Sequence, residues 1–274
     1  MLRLDLVHPI ISGNKLFKLH YFLEEALTSY HKTIITFGGA YSNHLAATAF
    51  ACDELHIKCI GFVRGERPAE LSHTLQFCVQ QHMQLEFLER ATYQNSHEKK
   101  FIEALFDKFG DHVLIPGGAF GMEGMKGAKL IWNYIGPKKF THMCCAIGTA
   151  TTFAGLIDKD DSDAMVMGFT ALKGLHDIDS RIEKLCASTQ KKYTVIDDYH
   201  FGGYAKKNAT LIGFMNSFYD QHAIPLDFVY TAKMMYGVMD LVEKNYFPEG
   251  SDILCIHTGG LQGNNSLPGG TLIF

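Results

Sequence analysis

Short apolar runs alternate with longer amphipathic ones along most of this chain, and that alternation constrains its fold more than any other feature. Residues 33–37, 58–63, 84–88 and 112–115 read as strands, with helical periodicity over 42–55, 71–81 and 96–109. The second half repeats the theme, with strands at 142–147, 164–169, 193–196 and 252–257 and helices at 152–156, 211–219 and 233–244. Strands joined through helices at this spacing need crossover connections, which are right-handed and build parallel sheets with helices on both faces. The expected class is therefore α/β. At 274 residues the chain is near the upper limit for one hydrophobic core, and it carries neither a low-complexity linker nor an internal repeat. Two closely packed lobes sharing a cleft are expected, a small one over 31–118 and a larger one from 1–30 and 119–274.

Charge and cysteine usage narrow the partners. A net charge of -4 leaves no electrostatic footprint for nucleic acid or an anionic membrane, so a small molecule is the expected partner. Cys52, Cys59, Cys78, Cys144, Cys145, Cys186 and Cys255 are odd in number and irregular in spacing, which fits reduced core thiols rather than a disulfide framework or a metal site. Met1-Leu2-Arg3-Leu4-Asp5 does not open a secretory signal, and no stretch approaches the ~18 apolar residues of a spanning helix. A cytoplasmic location is expected.

Ligands of open parallel sheets bind at the carboxyl ends of strands, and several strand ends here carry glycine and hydroxyl residues. Gly38-Gly39-Ala40-Tyr41-Ser42-Asn43-His44 leads into an alanine-rich helix, where Ser42 is either a helix cap or part of a carboxylate site. Gly148-Thr149-Ala150-Thr151-Thr152 offers backbone amides and three threonine hydroxyls at a helix start, suited to phosphate or to a plain cap, with no P-loop or Gly-x-Gly-x-x-Gly pattern. His257-Thr258-Gly259-Gly260 ends a third apolar strand, with Thr258 placed at its tip. Ser12-Gly13-Asn14-Lys15-Leu16-Phe17-Lys18 turns into a helix at a lysine. Partly desolvated beside a second cation, the Lys15 amine would lose its proton readily and attack carbonyl carbon; fully solvated, both lysines would be surface residues of a turn.

Taken in order, Gly-Asn-Lys-x-x-Lys-Leu, Gly-Gly-x-x-Ser-Asn, the Gly/Thr loop, Asp-x-Val-Tyr-Thr-x-Lys at Asp227 to Lys233, and His-Thr-Gly-Gly form a specific combination. On these motifs the chain resembles the pyridoxal-phosphate family of D-cysteine desulfhydrases and 1-aminocyclopropane-1-carboxylate deaminases, of the tryptophan synthase β-like fold (fold type II). The similarity runs from Arg3 to the C-terminus; the family carries a segment ahead of its Arg-x-Asp, and the stretch around Tyr204 is a residue or two shorter here. The resemblance implies that Lys15 binds pyridoxal 5'-phosphate as a Schiff base and later moves the Cα proton, with Lys18 near the phosphate. It implies that Asn43 bonds the cofactor's phenolic oxygen, that Ser42 and the His44 backbone face the substrate, and that Thr149, Ala150, Thr151 and Thr152 hold the phosphate. Tyr230 and Tyr204 match tyrosines that polarise or protonate the substrate, Thr231 sits where the pyridine nitrogen partner belongs, and a homodimer is implied.

Three functions follow from that resemblance. One is a lyase that eliminates thiol from D-cysteine or a related small amino acid, giving pyruvate, ammonia and sulfide. Another is 1-aminocyclopropane-1-carboxylate deaminase, a hydrolase opening the ring to 2-oxobutanoate and ammonia, and the third is a degenerate protein that binds the cofactor without turnover. In the family the deaminases place glutamate and leucine at the positions of Thr231 and Thr258, whereas the desulfhydrases place small hydroxyl residues there, so two threonines favour elimination.

Overall fold

The computed structural model describes residues 1–29, 33–158, 163–186 and 193–274, so the small-lobe boundary expected at residue 31 lies outside the described residues. In chain order the elements are β1 (Leu2–Arg3), α1 (Asn14–Thr28), β2 (Thr33–Gly38), α2 (Asn43–Glu54), β3 (Lys58–Arg64), α3 (His73–Gln80), β4 (Gln84–Leu88), α4 (Arg90–Gln94), α5 (Lys99–Phe109) and β5 (Val113–Ile115). There follow α6 (Met122–Lys129), β6 (His142–Ile147), α7 (Thr151–Ile157), β7 (Met165–Thr170), α8 (Ile178–Leu185), β8 (Tyr193–Ile196), α9 (Ala209–His222), α10 (Thr231–Glu243) and β9 (Ile253–His257). Two all-parallel sheets form, one ordered β4-β3-β2-β5 and the other β1-β9-β6-β7-β8.

Side chains alternate across a strand, and here both faces of each sheet are covered, which explains why the strands read as unbroken apolar runs. In β2, Ile34 packs with Leu45, Ala49 and Cys52 of α2 and with Leu19 and Phe22 of α1, while Ile35 and Phe37 pack on the other face with Ile60, Phe62 and Leu105 of α5. In β6, Met143, Cys145 and Ile147 pack with Phe153 and Ile157 of α7, whereas Cys144 and Ala146 face Met167, Phe169 and the apolar stripes of α9 and α10. All seven cysteines are buried, and among the described residues none forms a disulfide. No helix among the described residues is long and apolar enough to cross a membrane.

Three helices, α4, α6 and α8, lie outside the sequence reading. The helix expected over 96–109 is α5, which starts at Lys99, with α4 forming ahead of it over Arg90–Gln94, and α6 and α8 form where the sequence reading assigns no element. The reason in α6 is packing rather than propensity: a Cβ on Gly127 would lie 2.1 Å from the Phe17 carbonyl oxygen of α1, so its lack of a side chain lets the two helices meet. That crossing seats the first turn of α1 beside the carboxyl ends of β6 and β9.

Candidate active site

A cavity of about 190 Å³ lies at the carboxyl ends of β2, β6 and β9, a size that restricts its contents to small molecules. Its first wall is the start of α1. Gly13 has φ of +71°, and a Cβ there would lie 2.0 Å from the Thr258 carbonyl oxygen, so glycine alone fits. The Gly13 amide donates to the Leu4 carbonyl at 2.9 Å and the Asn14 amide to the Thr258 carbonyl at 3.1 Å, fixing the helix start against the end of β9. Lys15 is half-buried, and its Nζ donates to Asn14 Oδ1 at 2.7 Å while Asn14 Nδ2 donates to Thr152 Oγ1 at 2.8 Å. Lys18, 3% exposed, directs its Nζ to Thr149 Oγ1 at 3.4 Å. Burial pushes the Lys15 amine down to about 8, against the attraction of Asp227, and pushes Lys18 well below the usual lysine range, with the Lys15 charge adding to the effect.

The start of α2 forms the second wall. Ser42 is its N-cap, with Oγ accepting from the Leu45 amide at 3.2 Å, so the hydroxyl proton stays free to face a ligand. Asn43 donates through Nδ2 to the Gly260 carbonyl at 3.4 Å, and its Oδ1 is buried with no partner among the described residues. His44 is buried, and burial followed by the charges of Lys15 and Lys18 holds its imidazole neutral, well below the usual range. Thr36 Oγ1 spends its single proton on the Ile115 carbonyl at 3.0 Å, so at 2.8 Å it accepts from His44 Nε2–H. The lone pair of His44 is thereby placed on Nδ1, which is buried without a partner among the described residues.

The third wall comes from the ends of β6 and β9 and the start of α10. Ala150 adopts left-handed backbone (φ 69°) ahead of α7, and Thr149 Oγ1 and Thr151 Oγ1 lie 3.0 Å apart at the helix start, where the first-turn amides have no intrahelical acceptor. Tyr230 and Tyr204 pack edge to face with ring centroids 6.1 Å apart. Burial raises both phenols, Tyr230 well above the usual range, with Asp227 contributing to each. The Asp227 carboxylate accepts at Oδ1 from the Thr231 amide and hydroxyl (2.8 Å each) and at Oδ2 from the Val229 and Tyr230 amides (2.9 Å each). It is a fully buried hub that fixes the start of α10.

The cavity therefore brings together Lys15, Lys18, Ser42, Asn43, His44, Thr149, Ala150, Thr151, Thr152, Tyr204, Tyr230 and Thr258. Thr231 is not on its wall: the residue is fully buried, its hydroxyl proton goes to Asp227, and Thr258 is the hydroxyl residue of that pair which reaches the cavity. Asn14 and Tyr93 line it as well, without having been singled out in the sequence. Tyr93 arrives on five-residue α4, which no glycine-bearing strand end announces, whereas the fixed spacing of Asn14 next to Lys15 was a usable signal. Among the described residues no cluster could hold a metal ion.

These residues fit pyridoxal phosphate. First-turn amides, threonine hydroxyls and the Lys18 amine suit a phosphate, a lysine amine of lowered pKa suits an aldehyde carbon, and the Asn43 Oδ1 and His44 Nδ1 atoms, partnerless among the described residues, are polar atoms that a bound ligand would satisfy. Fold and cavity together define a candidate site for a small cofactor that carries a phosphate and an aldehyde. Residues 1–259 match the family of pyridoxal-phosphate dependent enzymes, and the chain belongs to that family. It is 29% identical over 283 residues to a Pyrococcus abyssi protein provisionally named a 1-aminocyclopropane-1-carboxylate deaminase, covering 94% of this chain and 83% of that one. A D-cysteine desulfhydrase of Yersinia pestis is 28% identical over 282 residues, covering 93% and 84%. The crystal structure of an ACC deaminase homologue superimposes with a TM-score of 0.82 at 26% identity, covering 96% of this chain and 84% of that one.

Proposed function

We propose that the protein eliminates thiol from D-cysteine or a related small D-amino acid, converting it with one water to pyruvate, ammonia and hydrogen sulfide. The observation that carries this reading is the cavity wall: its described residues include no carboxylate, and Thr258 stands where the ring-opening relatives are expected to carry leucine. Bound pyridoxal phosphate would supply the electron sink for negative charge at Cα. In this reading Thr149 to Thr152 and Lys18 hold its phosphate, and Lys15 forms the covalent link. The Lys15 amine takes the Cα proton, which its lowered pKa favours near neutral pH. Ser42 Oγ–H and Asn43 orient the substrate carboxylate, and the Tyr230 and Tyr204 hydroxyls, kept protonated by burial, are the donors for the departing thiolate. Ring opening of 1-aminocyclopropane-1-carboxylate is the second reading, supported by the names of relatives at nearly the same identity.

The same reading divides the chain into a small lobe over 31–118 and a larger one from 1–30 and 119–274, working as a cytoplasmic homodimer. The test is product analysis of the purified, cofactor-loaded protein with D-cysteine, L-cysteine, D-serine and 1-aminocyclopropane-1-carboxylate. Pyruvate with equimolar sulfide from D-cysteine is expected; 2-oxobutanoate as the main keto acid supports ring opening, and a yellow protein that releases no keto acid supports binding without turnover.

A further inference from the structure

The stretch around Tyr204 bends through positive φ at Phe201 (51°), Gly202 (91°), Gly203 (110°) and Ala205 (54°). For phenylalanine and alanine that backbone is unfavourable, so the loop persists only because its surroundings hold it. Beneath it lies Lys233, in the first turn of α10 and 1% exposed. Its Nζ donates to the Gly203 carbonyl at 2.6 Å and to the Ala171 carbonyl, just past β7, at 3.4 Å. A buried ammonium is costly without compensation: burial lowers the Lys233 amine to about 8, against the attraction of Asp227, which favours the protonated form. Asp227 also receives the amides of Val229, Tyr230 and Thr231. One helix start thus reaches both tyrosines of the cavity, Tyr230 through its own backbone and Tyr204 through the residue that precedes it.

We propose that Lys233 is a positioning residue for the reaction: its ammonium, bound to the Gly203 carbonyl, sets Tyr204 against Tyr230 in the cavity. The inference rests on the assignment of Tyr204 to the reaction. Its test compares Lys233→Met, Tyr204→Phe and the double variant as holoenzymes turning over D-cysteine. Both single variants are expected to lower kcat about 10²-fold with KM nearly unchanged and the cofactor absorbance retained. In the Tyr204→Phe background, Lys233→Met should cost nothing further. A loss by the same factor in both backgrounds, or wild-type kcat in Lys233→Met, would overturn the proposal. Should the methionine variant not fold, Lys233→Gln, which keeps a donor for Gly203 on a shorter side chain, is expected to lower kcat less than Tyr204→Phe does and to cost nothing further in the Tyr204→Phe background; an additional loss there overturns the proposal. Hydrogen exchange gives a readout without activity, at the amides of Gly203 and Lys206, which donate to the His200 and Gly203 carbonyls. Faster exchange in the Lys233 variant is expected, and unchanged exchange overturns the clamp. Wild-type kcat in Tyr204→Phe, or no pyruvate from D-cysteine with the wild type, would instead overturn the assignment of Tyr204 or of the substrate, and the exchange result still decides the clamp.

Discussion

Lys15 owes its chemistry to where α1 begins. Burial disfavours its ammonium only in the folded chain, lowering its pKa from 10.5 to about 8. Between those values the unfolded chain binds more protons, so this group's penalty on folding is relieved as pH rises. At pH 7 about one amine in ten is already neutral. Capture of added cofactor by the apoenzyme should therefore speed up with pH and level off above about 8, followed as growth of visible absorbance. A rate still climbing tenfold per unit near pH ~10 would mean an unperturbed lysine. Lys15→Ala should abolish the visible band, whereas Lys18→Ala should keep the band and loosen cofactor retention in equilibrium dialysis; the reverse pattern would exchange their roles. The positions of both lysines were legible because Gly13-Asn14 marks a turn into a helix. The protonation of His44 was not, since its tautomer depends on a carbonyl, Ile115, that only the fold brings to Thr36.

At the scale of elements, the start of α7 and the α1–α6 crossing carry separate burdens. Proline is ordinarily tolerated at the first position of a helix, but Thr151 follows Ala150 in left-handed backbone (φ 69°, ψ -10°), a conformation that a following proline disfavours. Thr151→Pro also removes one of the first-turn amides, so it should weaken cofactor binding at least ~10-fold if one charge-assisted hydrogen bond is lost. Equilibrium dialysis checks this, and unchanged affinity would argue that the phosphate sits elsewhere. Gly127→Ala would bring a methyl within 2.1 Å of the Phe17 carbonyl oxygen and should cost about 1–3 kcal/mol by thermal unfolding, with Lys15 and Lys18 displaced along with α1. Most strands were legible within a residue or two because apolar runs buried on both faces stand out. The glycines of α6 concealed that helix: Gly127 is there for close approach to Phe17 of α1 and Gly124 for close approach to the Ala119 carbonyl. Thr231 shows a different limit: its motif was plain in the sequence, but only the fold reveals that its hydroxyl belongs to Asp227 and not to the cavity.

For the whole molecule, two parallel sheets place their strand ends around one cavity, and what that cavity can do follows from the joint contribution of both. The small sheet supplies Ser42, Asn43 and His44, the large one supplies the threonine loop, Thr258 and the tyrosines, and α1 delivers the lysines to their junction. In the reading proposed above, a wall whose described residues include no carboxylate, with Thr258 on the cavity, favours expelling a good leaving group over opening a carbon ring. Thr258→Leu should therefore lower turnover of D-cysteine by about 10–200-fold, the scale on which a changed pocket residue alters discrimination, as measured by pyruvate release. Unchanged turnover would remove Thr258 from the account. The most direct measurement is kcat/KM for D-cysteine and for 1-aminocyclopropane-1-carboxylate, side by side on one cofactor-loaded preparation. A higher value for D-cysteine, with pyruvate and sulfide released together, is the predicted result; a higher value for 1-aminocyclopropane-1-carboxylate, with 2-oxobutanoate as product, would contradict it.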